Sequence, residues 1–441
     1  MPKNGNPNPK ELGFCMLPRN NLKLKFLILA LSVPLALAQS GIKSVPKTNP
    51  INGTQPVIKS APPLLPVRPE IPTALQPRAP GQNSPQALNR IPTNSSIPEI
   101  KKIEYASNGF IEVAHALILI PRSADSIERE LAFAFAAVQR AFKQRPALEE
   151  VDFSIFQKEA FGGAGGPLPR MTGSILKSQL SAFLRLRVAD LKRFDRIWLN
   201  DDRKRPTLRQ PTSEQETGLK FSGDISALKK QQSRQLQIEG GISEGLLFHG
   251  SPTQASIALT FDDAPHPLYT PLLLDILRRT HVKATFFCIG RNAVAYPYFV
   301  RDMVKAGHEI ANHTYHHVRL IGLSPSAINE ELETTSDILK SISGQSIKYF
   351  RPPGGRYSSQ VLQVAFNAGL ITAFWTDDPA DFRNAGEKTL ERNLVKHLQF
   401  GGIILLHDNV LDSIQVLPQF LKAAYNRGIQ IDNISGMLDG I

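Results

Sequence analysis

Seven short apolar runs in the last two hundred residues alternate with segments that have the periodicity of amphipathic helices. The runs cover residues 257–263, 284–290, 308–313, 347–352, 371–378, 403–408 and 429–434. The clearest helical segment begins with Ser324 as N-cap and Pro325 at its first position, and it ends at Gly344. Strands that alternate with helices favour a parallel sheet, and this number of units favours closure. Residues 246–441 are therefore predicted to form an α/β domain, a distorted (β/α) barrel of about seven strands.

Potential catalytic side chains follow five of these runs, at the end where each run stops. They are Asp262 and Asp263, His313 and His317, Arg351, Asp378 and Asp381, and His407 and Asp408. In (β/α) barrels the chemistry lies at the carboxyl ends of the strands. An Asp-Asp pair before a proline is common turn chemistry by itself. The gathering of these groups at one predicted rim favours an active site over a set of turns.

The segment from Asn312 to His317 has the spacing of a metal site. Imidazoles at positions i and i+4 lie on one helical face, so His313 and His317 can bind one ion together with a carboxylate from elsewhere. Two histidines and one aspartate leave positions open for water and substrate, as catalytic metal sites require. Two alternatives remain, the i, i+3 pair His313 and His316 and a polar turn without metal. We predict a divalent cation, with zinc or cobalt as the expected metals.

Together these motifs resemble the polysaccharide deacetylase family, the carbohydrate esterases with a NodB homology domain. Its Asp-Asp motif is matched by Thr260-Phe261-Asp262-Asp263, its His-Ser/Thr-x-x-His motif by His313-Thr314-Tyr315-His316-His317, and its Arg-Pro-Pro-Tyr motif by Arg351-Pro352-Pro353-Gly354. Its Asp-x-x-Asp-Trp motif is matched by Asp378-Pro379-Ala380-Asp381-Phe382, and its Leu-x-His motif by Leu405-Leu406-His407. The five motifs occur in the family's order, but they cover only the predicted barrel.

The resemblance implies a role for each matched residue. It assigns the metal to Asp263, His313 and His317. It assigns the general base to Asp262, the general acid to His407, a backbone donor for the oxyanion to Gly354, and supporting roles to Arg351 and Asp381. Such roles suit amide hydrolysis, because a metal polarises the carbonyl and a base activates water at neutral pH.

Three positions depart from the family's motifs. Ala264 replaces the usual Gly, Gly354 the usual Tyr, and Phe382 the usual Trp. Ala264 would be strained if its backbone had a positive φ, and Phe382 keeps an apolar wall without the indole N–H. No chemical group of the mechanism is lost, but the departures leave the substrate open.

The amino terminus has the layout of a secretory signal peptide. Lys23 and Lys25 precede an apolar run over residues 26–35, and Ala36-Leu37-Ala38 follows as a cleavage site. We predict a signal peptide over residues 1–38 and an exported protein, secreted, periplasmic or associated with the cell wall. An uncleaved membrane anchor is the alternative.

Residues 39–102 are rich in proline, which predicts a disordered linker. Basic residues with few acids nearby concentrate in the amino-terminal part of a chain whose formal net charge is +12. This segment can therefore contact an anionic cell wall or membrane surface. It has no nucleic-acid-binding motif, and we expect no nucleic-acid partner.

Residues 103–200 predict a small α+β domain without recognisable chemistry. Its predicted elements are a strand at 115–121, a helix at 126–143, a half-buried strand at 151–156 and a helix at 180–193. Residues 201–245, rich in Lys, Arg, Gln and Ser, predict a second linker.

The predicted function, by resemblance, is that of a metal-dependent hydrolase. It removes N-acetyl groups from amino sugars of an acetylated polysaccharide, either peptidoglycan or a chitin-like glycan. A deacylase of another N-acyl substrate and a carbohydrate-binding pseudoenzyme are the alternatives, and the complete set of acids and histidines argues against the second. The glycan, the native metal and the oligomeric state are not determined by the sequence.

Overall fold

A computed structural model describes residues 89–124, 126–161, 167–200, 239–383 and 385–439. The predicted signal peptide and most of the two predicted linkers lie outside these residues. No helix of the described part of the chain is both long and apolar enough to cross a membrane.

The amino-terminal domain is a six-stranded sheet whose strands lie in sequence order. The strands are β1 (Asn89–Ile91), β2 (Ile100–Ser107), β3 (Glu112–Ile120), β4 (Leu148–Gln157), β5 (Met171–Leu176) and β6 (Ile197–Leu199). Neighbours are antiparallel except β3 and β4, which are parallel and are connected through helix α1 (Ile127–Gln144). Ser126 caps α1 by accepting a hydrogen bond from the N–H of Arg129, which confirms the predicted helix start.

Two predicted boundaries in this region need correction. The predicted boundary at residue 103 lies inside β2, because Pro92 and Pro98 occupy the connection between β1 and β2 and extend the proline-rich composition into an ordered sheet. The predicted helix over 180–193 is only the short helix α2 (Leu180–Phe183) and a separate 3-10 turn, because Arg187 has an extended backbone between them.

Strand β4 is buried on both faces, although its alternating pattern predicted one exposed face. Val151, Phe153 and Ile155 pack in one apolar cluster with residues of α1. The polar residues Asp152 and Ser154 are fully buried on the opposite face, where the carboxyl-terminal domain covers them. The polar positions of this strand therefore mark a contact within the protein rather than a solvated surface.

The carboxyl-terminal domain contains all seven predicted strands and a short hairpin before them. Its strands are β7 (Ile242–Ser243), β8 (Leu246–Leu247), β9 (Ser256–Ala264), β10 (Thr285–Cys288), β11 (Glu309–Asn312), β12 (Tyr349–Phe350), β13 (Ile371–Ala373), β14 (Ile403–His407) and β15 (Gln430–Asp432). The order is β14-β9-β10-β11-β12-β13-β8-β7, and β15 pairs with β9. All these pairs are parallel except β7 with β8. The hairpin begins inside the predicted linker 201–245.

The sheet closes through an irregular segment that follows β13. The N–H of Thr376 donates to the carbonyl of Ile403 at 2.9 Å, and the N–H of Leu405 donates to the carbonyl of Asp377 at 3.0 Å. These bonds connect the end of β13 to β14, so the parallel strands form a distorted barrel. Seven strands, β8 to β14, each contribute one residue to a single buried cluster: Leu247, Ala258, Phe287, Ala311, Tyr349, Ala373 and Ile403.

The helices that connect the strands lie outside the barrel. They are α3 (Thr270–Thr280), α4 (Gly290–Ala295), α5 (Pro297–Lys305), α6 (Pro325–Ser343), α7 (Ser359–Asn367), α8 (Glu387–Lys396) and α9 (Leu411–Asn426). A last helix, α10 (Ile434–Leu438), follows β15, and its residues Ile434 and Met437 belong to the buried cluster inside the barrel. Helix α6 confirms its prediction: Ser324 accepts from the N–H of Ala327 at its start, and Gly344 ends it with a φ of 70°.

Candidate active site

Asp262 and Asp263, near the end of β9, each direct a carboxylate oxygen at His313, although their backbone conformations differ. Side chains alternate along a strand, so Asp262 shares the inner face of the barrel with Ala258 and Thr260. Asp263 would point outward, but its φ of 69° interrupts the alternation. Oδ2 of Asp262 and Oδ1 of Asp263 consequently lie 3.7 Å and 3.6 Å from Nε2 of His313.

His313 is held in one tautomer by the backbone. Its Nδ1 lies 2.8 Å from the carbonyl oxygen of Arg351, and because a carbonyl only accepts hydrogen bonds, Nδ1 must carry the proton. Burial lowers the pKa of His313 to about 4, so the imidazole is neutral at pH 7. Nε2 therefore presents a lone pair to the two carboxylates, an arrangement that suits a cation between them.

His317 reaches the site through a turn, not along a helix. Residues 313–318 are not helical, so the predicted helical face is wrong. Thr314 and His317 have φ values of 64° and 58°, and the hydroxyl of Thr314 accepts from the N–H of His317. Nε2 of His317 lies 3.1 Å from Oδ1 of Asp263. The two histidines predicted from the sequence spacing therefore lie together, but through a turn and not on one helical face.

His316 is engaged elsewhere. Its Nδ1 lies 2.5 Å from Oε1 of Glu331 on α6, and Oε2 of Glu331 accepts from the N–H groups of Tyr315 and His316. Glu331 thus fixes the turn between the two candidate ligands. The alternative pair His313 and His316 is not supported by this geometry.

The residues fit a divalent cation. One ligand atom from each of Asp263, His313 and His317 lies within 4.8 Å of the other two. Among the described residues, Oδ1 of Asp263 is buried and accepts no hydrogen bond, which is costly without a cation. Burial by itself raises the pKa of Asp263, but the neighbouring imidazoles, that of His317 foremost, lower it to about 2. An ionised carboxylate and two imidazoles form a donor set that zinc and similar metals accept.

Arg351 holds Asp262 from inside the barrel. Its side chain is completely buried and donates to Oδ1 of Asp262 at 2.7 Å and to the hydroxyl of Thr260 at 2.9 Å. It also donates to the carbonyls of Ala373 and Phe374, at 3.1 Å each. A planar guanidinium with four partners fixes one oxygen of Asp262 and leaves the other directed at His313.

His407 and Asp381 form a second pair at the same rim. Nδ1 of His407 lies 2.7 Å from Oδ1 of Asp381, and Oδ2 of Asp381 accepts from the N–H of His407 and the hydroxyl of Ser413. Burial by itself lowers the pKa of His407, but Asp381 outweighs it, and the pKa rises to about 10. A cation beside Asp263 would oppose this rise. The pairing favours a protonated imidazole, as a proton donor requires.

The structure shows the backbone or ring contacts of the three residues that depart from the family's motifs. Ala264 continues β9 and pairs with Cys288; the positive φ falls on Asp263 instead, so the strain expected at Ala264 does not arise. Gly354 has a φ of 64° and open space where a side chain would begin. The ring of Phe382 lies edge-on to His407 with centroids 5.9 Å apart.

The sequence analysis missed Asn409, and it named Asp408 and Asp378 without giving either a specific role. Asn409 donates to Oδ2 of Asp263 at 3.1 Å, and its place two residues after His407 could have indicated it. Asp408 is buried and accepts from the N–H of His266 and the hydroxyl of Thr270, which ties the loop after β14 to the loop after β9. Asp378, expected at the rim, accepts from the N–H of Ala380 in a local turn.

The fold and the site thus define an α/β barrel with an Asp-His-His cluster at the carboxyl ends of its strands. The family model for polysaccharide deacetylases matches residues 249–373. A peptidoglycan-N-acetylglucosamine deacetylase of Bacillus cereus is 39% identical over 183 residues, which are 38% of this chain and 83% of that protein. A chitooligosaccharide deacetylase of Bradyrhizobium is 38% identical over 154 residues, 35% of this chain and 70% of that protein.

Among solved structures, a peptidoglycan N-acetylglucosamine deacetylase is similar at 29% identity and a TM-score of 0.43, over 44% of this chain and 93% of that one. The sequence matches with the curated relatives are sufficient to assign the family. The chain belongs to the polysaccharide deacetylase family, which confirms the resemblance found in its motifs.

Proposed function

We propose that this protein is an exported, metal-dependent hydrolase that removes acetyl groups from N-acetylated amino sugars of a polysaccharide, either peptidoglycan or a chitin-like glycan. The observation that carries the proposal is the convergence of Asp262 and Asp263 on His313, at 3.7 Å and 3.6 Å. The names of the relatives support the substrate class. The basic segment that precedes residue 89 would contact the anionic cell wall or membrane surface.

Asp263, His313 and His317 would hold the cation, which supplies polarisation of the acetyl carbonyl and a lower pKa for water. Asp262 accepts the proton of the attacking water through Oδ2, because Oδ1 is engaged by Arg351. Zinc and cobalt both suit the donor set.

His407 donates a proton to the departing nitrogen. An amine leaves poorly unless it is protonated, and the second nitrogen of this imidazole, Nε2, is the one available because Nδ1 is bound to Asp381. The backbone N–H of Gly354 would stabilise the negative charge on the carbonyl oxygen, and such a donor does not depend on a side chain. Phe382 would contact the acetyl methyl beside His407.

The test is acetate release by the full-length protein, freed of metal and then supplied with Zn²⁺ or Co²⁺. Chitooligosaccharides and peptidoglycan glycan strands are the substrates. His313→Ala should lose both metal and activity, whereas His397→Ala should keep both, because the His397 side chain is 50% exposed and lies outside the cluster. A protein that binds metal and glycan but releases no acetate would instead be a carbohydrate-binding pseudoenzyme. Release of another acyl group would indicate a different N-acyl substrate.

A further inference from the structure

Helix α4 holds the turn that carries the histidine ligands. The N–H of Gly290 donates to the carbonyl of Thr314 at 2.9 Å, and the N–H of Arg291 donates to the carbonyl of Tyr315 at 3.2 Å. A Cβ on Gly290 would lie 2.8 Å from the Tyr315 ring, so only glycine permits this approach. The start of α4 therefore fixes the backbone between His313 and His317.

The same helix holds the aspartate ligand. The amide of Asn292 donates to the backbone carbonyl of Asp263 at 3.4 Å, and the N–H of Ile289, just before α4, donates to the carbonyl of Ala264 at 2.9 Å. Asp263 has a left-handed backbone, which is costly for a residue other than glycine unless its surroundings impose it. Helix α4 is thus in contact with both segments that supply metal ligands.

The other end of α4 is held by the amino-terminal domain. The hydroxyl of Thr172 on β5 donates to the carbonyl of Ala295, the last residue of α4, at 2.5 Å. Ser154 on β4 shares a 2.9 Å hydrogen bond with the hydroxyl of Tyr296. Thr172, Ser154 and Tyr296 are all fully buried, so these bonds are shielded from water.

The contact between the two domains is extensive beyond α4. Asn108 donates to the carbonyl of Leu272 at 2.9 Å and to Asp275 at 3.0 Å, both on α3. Val113 of β3 belongs to the same buried apolar cluster as Leu272. Arg196 donates to Asp302 of α5 at 2.6 Å. Apolar and ionic burial together indicate a permanent contact rather than a flexible one.

We propose that the amino-terminal domain positions the metal ligands through helix α4 and is therefore part of the catalytic unit. The domain lies outside residues 249–373, which match the family model, and the sequence assigned it no chemistry. The inference rests on the proposed function, because it assumes that a cation binds Asp263, His313 and His317. Its physical basis is that loss of a hydroxyl contact lets the end of α4 move, and with it both ligand segments.

Two variants of the full-length protein test this. Thr172→Val and Tyr296→Phe each remove one hydroxyl from the contact with almost no change in shape. Zinc affinity, measured without substrate by competition with a fluorescent chelator, should fall about three- to tenfold in each, somewhat less than for direct partners of metal ligands. Asn292→Ala should show a larger loss, because Asn292 contacts Asp263 itself.

The matched control is Ser126→Ala, which removes the N-cap of α1 on the opposite face of the same sheet. It should lower the thermal midpoint but leave zinc affinity unchanged. If Thr172→Val and Tyr296→Phe lower the thermal midpoint but bind zinc like wild type, this inference is overturned and the proposed function is not. Wild-type protein that binds no zinc would overturn the proposed function, and this inference with it.

Discussion

Two buried carboxylates at the barrel rim are paired with different cations. Asp262 receives a 2.7 Å hydrogen bond from Arg351, and Asp381 lies 2.7 Å from Nδ1 of His407. A guanidinium keeps its proton under all working conditions, whereas an imidazolium can release one. In the first pair only the carboxylate can take part in proton transfer, and in the second the histidine can.

The remaining contacts of the two carboxylates reinforce this difference. Asp381 accepts four hydrogen bonds: from Nδ1 and N–H of His407, the hydroxyl of Ser413 and the N–H of Phe382. Oδ2 of Asp262 instead faces Nε2 of His313. A fully bonded carboxylate orients its partner, while one with an oxygen directed at the candidate metal ligands can act on water. The number of hydrogen bonds thus distinguishes the proposed base, Asp262, from the proposed orienting residue, Asp381.

The largest effect should come from Asp262→Asn. Asn can still accept from Arg351 but cannot take a proton, so turnover should fall about 10²- to 10⁴-fold. Zinc affinity should stay close to wild type, because the candidate ligands are other residues. Steady-state kinetics and metal competition on the same preparation provide the measurement. A loss of zinc as severe as the loss of turnover would show that Asp262 is a ligand.

His407→Ala should have the second largest effect, and its size should depend on the leaving group. On N-acetyl sugars turnover should fall about 10²-fold or more, because the amine must be protonated as it leaves. On an activated aryl acetate the loss should be much smaller, since that leaving group departs without a proton. Comparing the two substrates in wild type and variant gives the measurement. Equal losses on both would mean that His407 orients the substrate.

Asp381→Asn should have a smaller effect that depends on pH. Asp381 keeps the pKa of His407 above its ordinary value, so removing its charge should shift the alkaline limb of the pH–rate profile to lower pH by about one unit or more. In metal-free protein the pair contributes stability below pH 6.5 that is lost as pH rises towards 10, and the variant should lack this dependence. An unshifted alkaline limb would show that Asp381 does not control the protonation of His407.

Ser413→Ala should have the smallest effect. It removes one of four hydrogen bonds to Asp381, which corresponds to about 1 kcal/mol and a severalfold loss of turnover. The pH–rate profile should keep its shape, because the charge of Asp381 remains. A shift as large as that of Asp381→Asn would mean that the hydroxyl, and not the carboxylate charge, controls His407.

Features that depend on neighbouring residues could be predicted from the sequence. The N-cap Ser324 and the terminal Gly344 define α6 because capping uses groups within one helical turn. The strand ending at Asp262 and Asp263 was predicted because its apolar run and its turn residues are adjacent. The turn at His317 was mistaken for a helix, since its geometry depends on Glu331 in another element.

The burial of the polar face of β4, in the amino-terminal domain, also could not be predicted from neighbouring residues. The alternation over residues 151–156 predicts a half-buried strand, an arrangement that would place Asp152 and Ser154 on the exposed face. Both are buried, because a second domain covers that face. No property of residues 151–156 alone distinguishes a polar face in water from a polar face against another domain.

The sequence by itself determined the α/β class, the positions of the seven strands along the chain and the residue types that meet at the rim, because periodicity and turn signals are properties of contiguous segments. Only the tertiary structure decided which histidines face Asp263, which partner each carboxylate receives, and that the amino-terminal domain contacts helix α4. Those relations join residues far apart in the chain, as Thr172 and Ala295 are, and their energy depends on burial that exists only once both domains have packed.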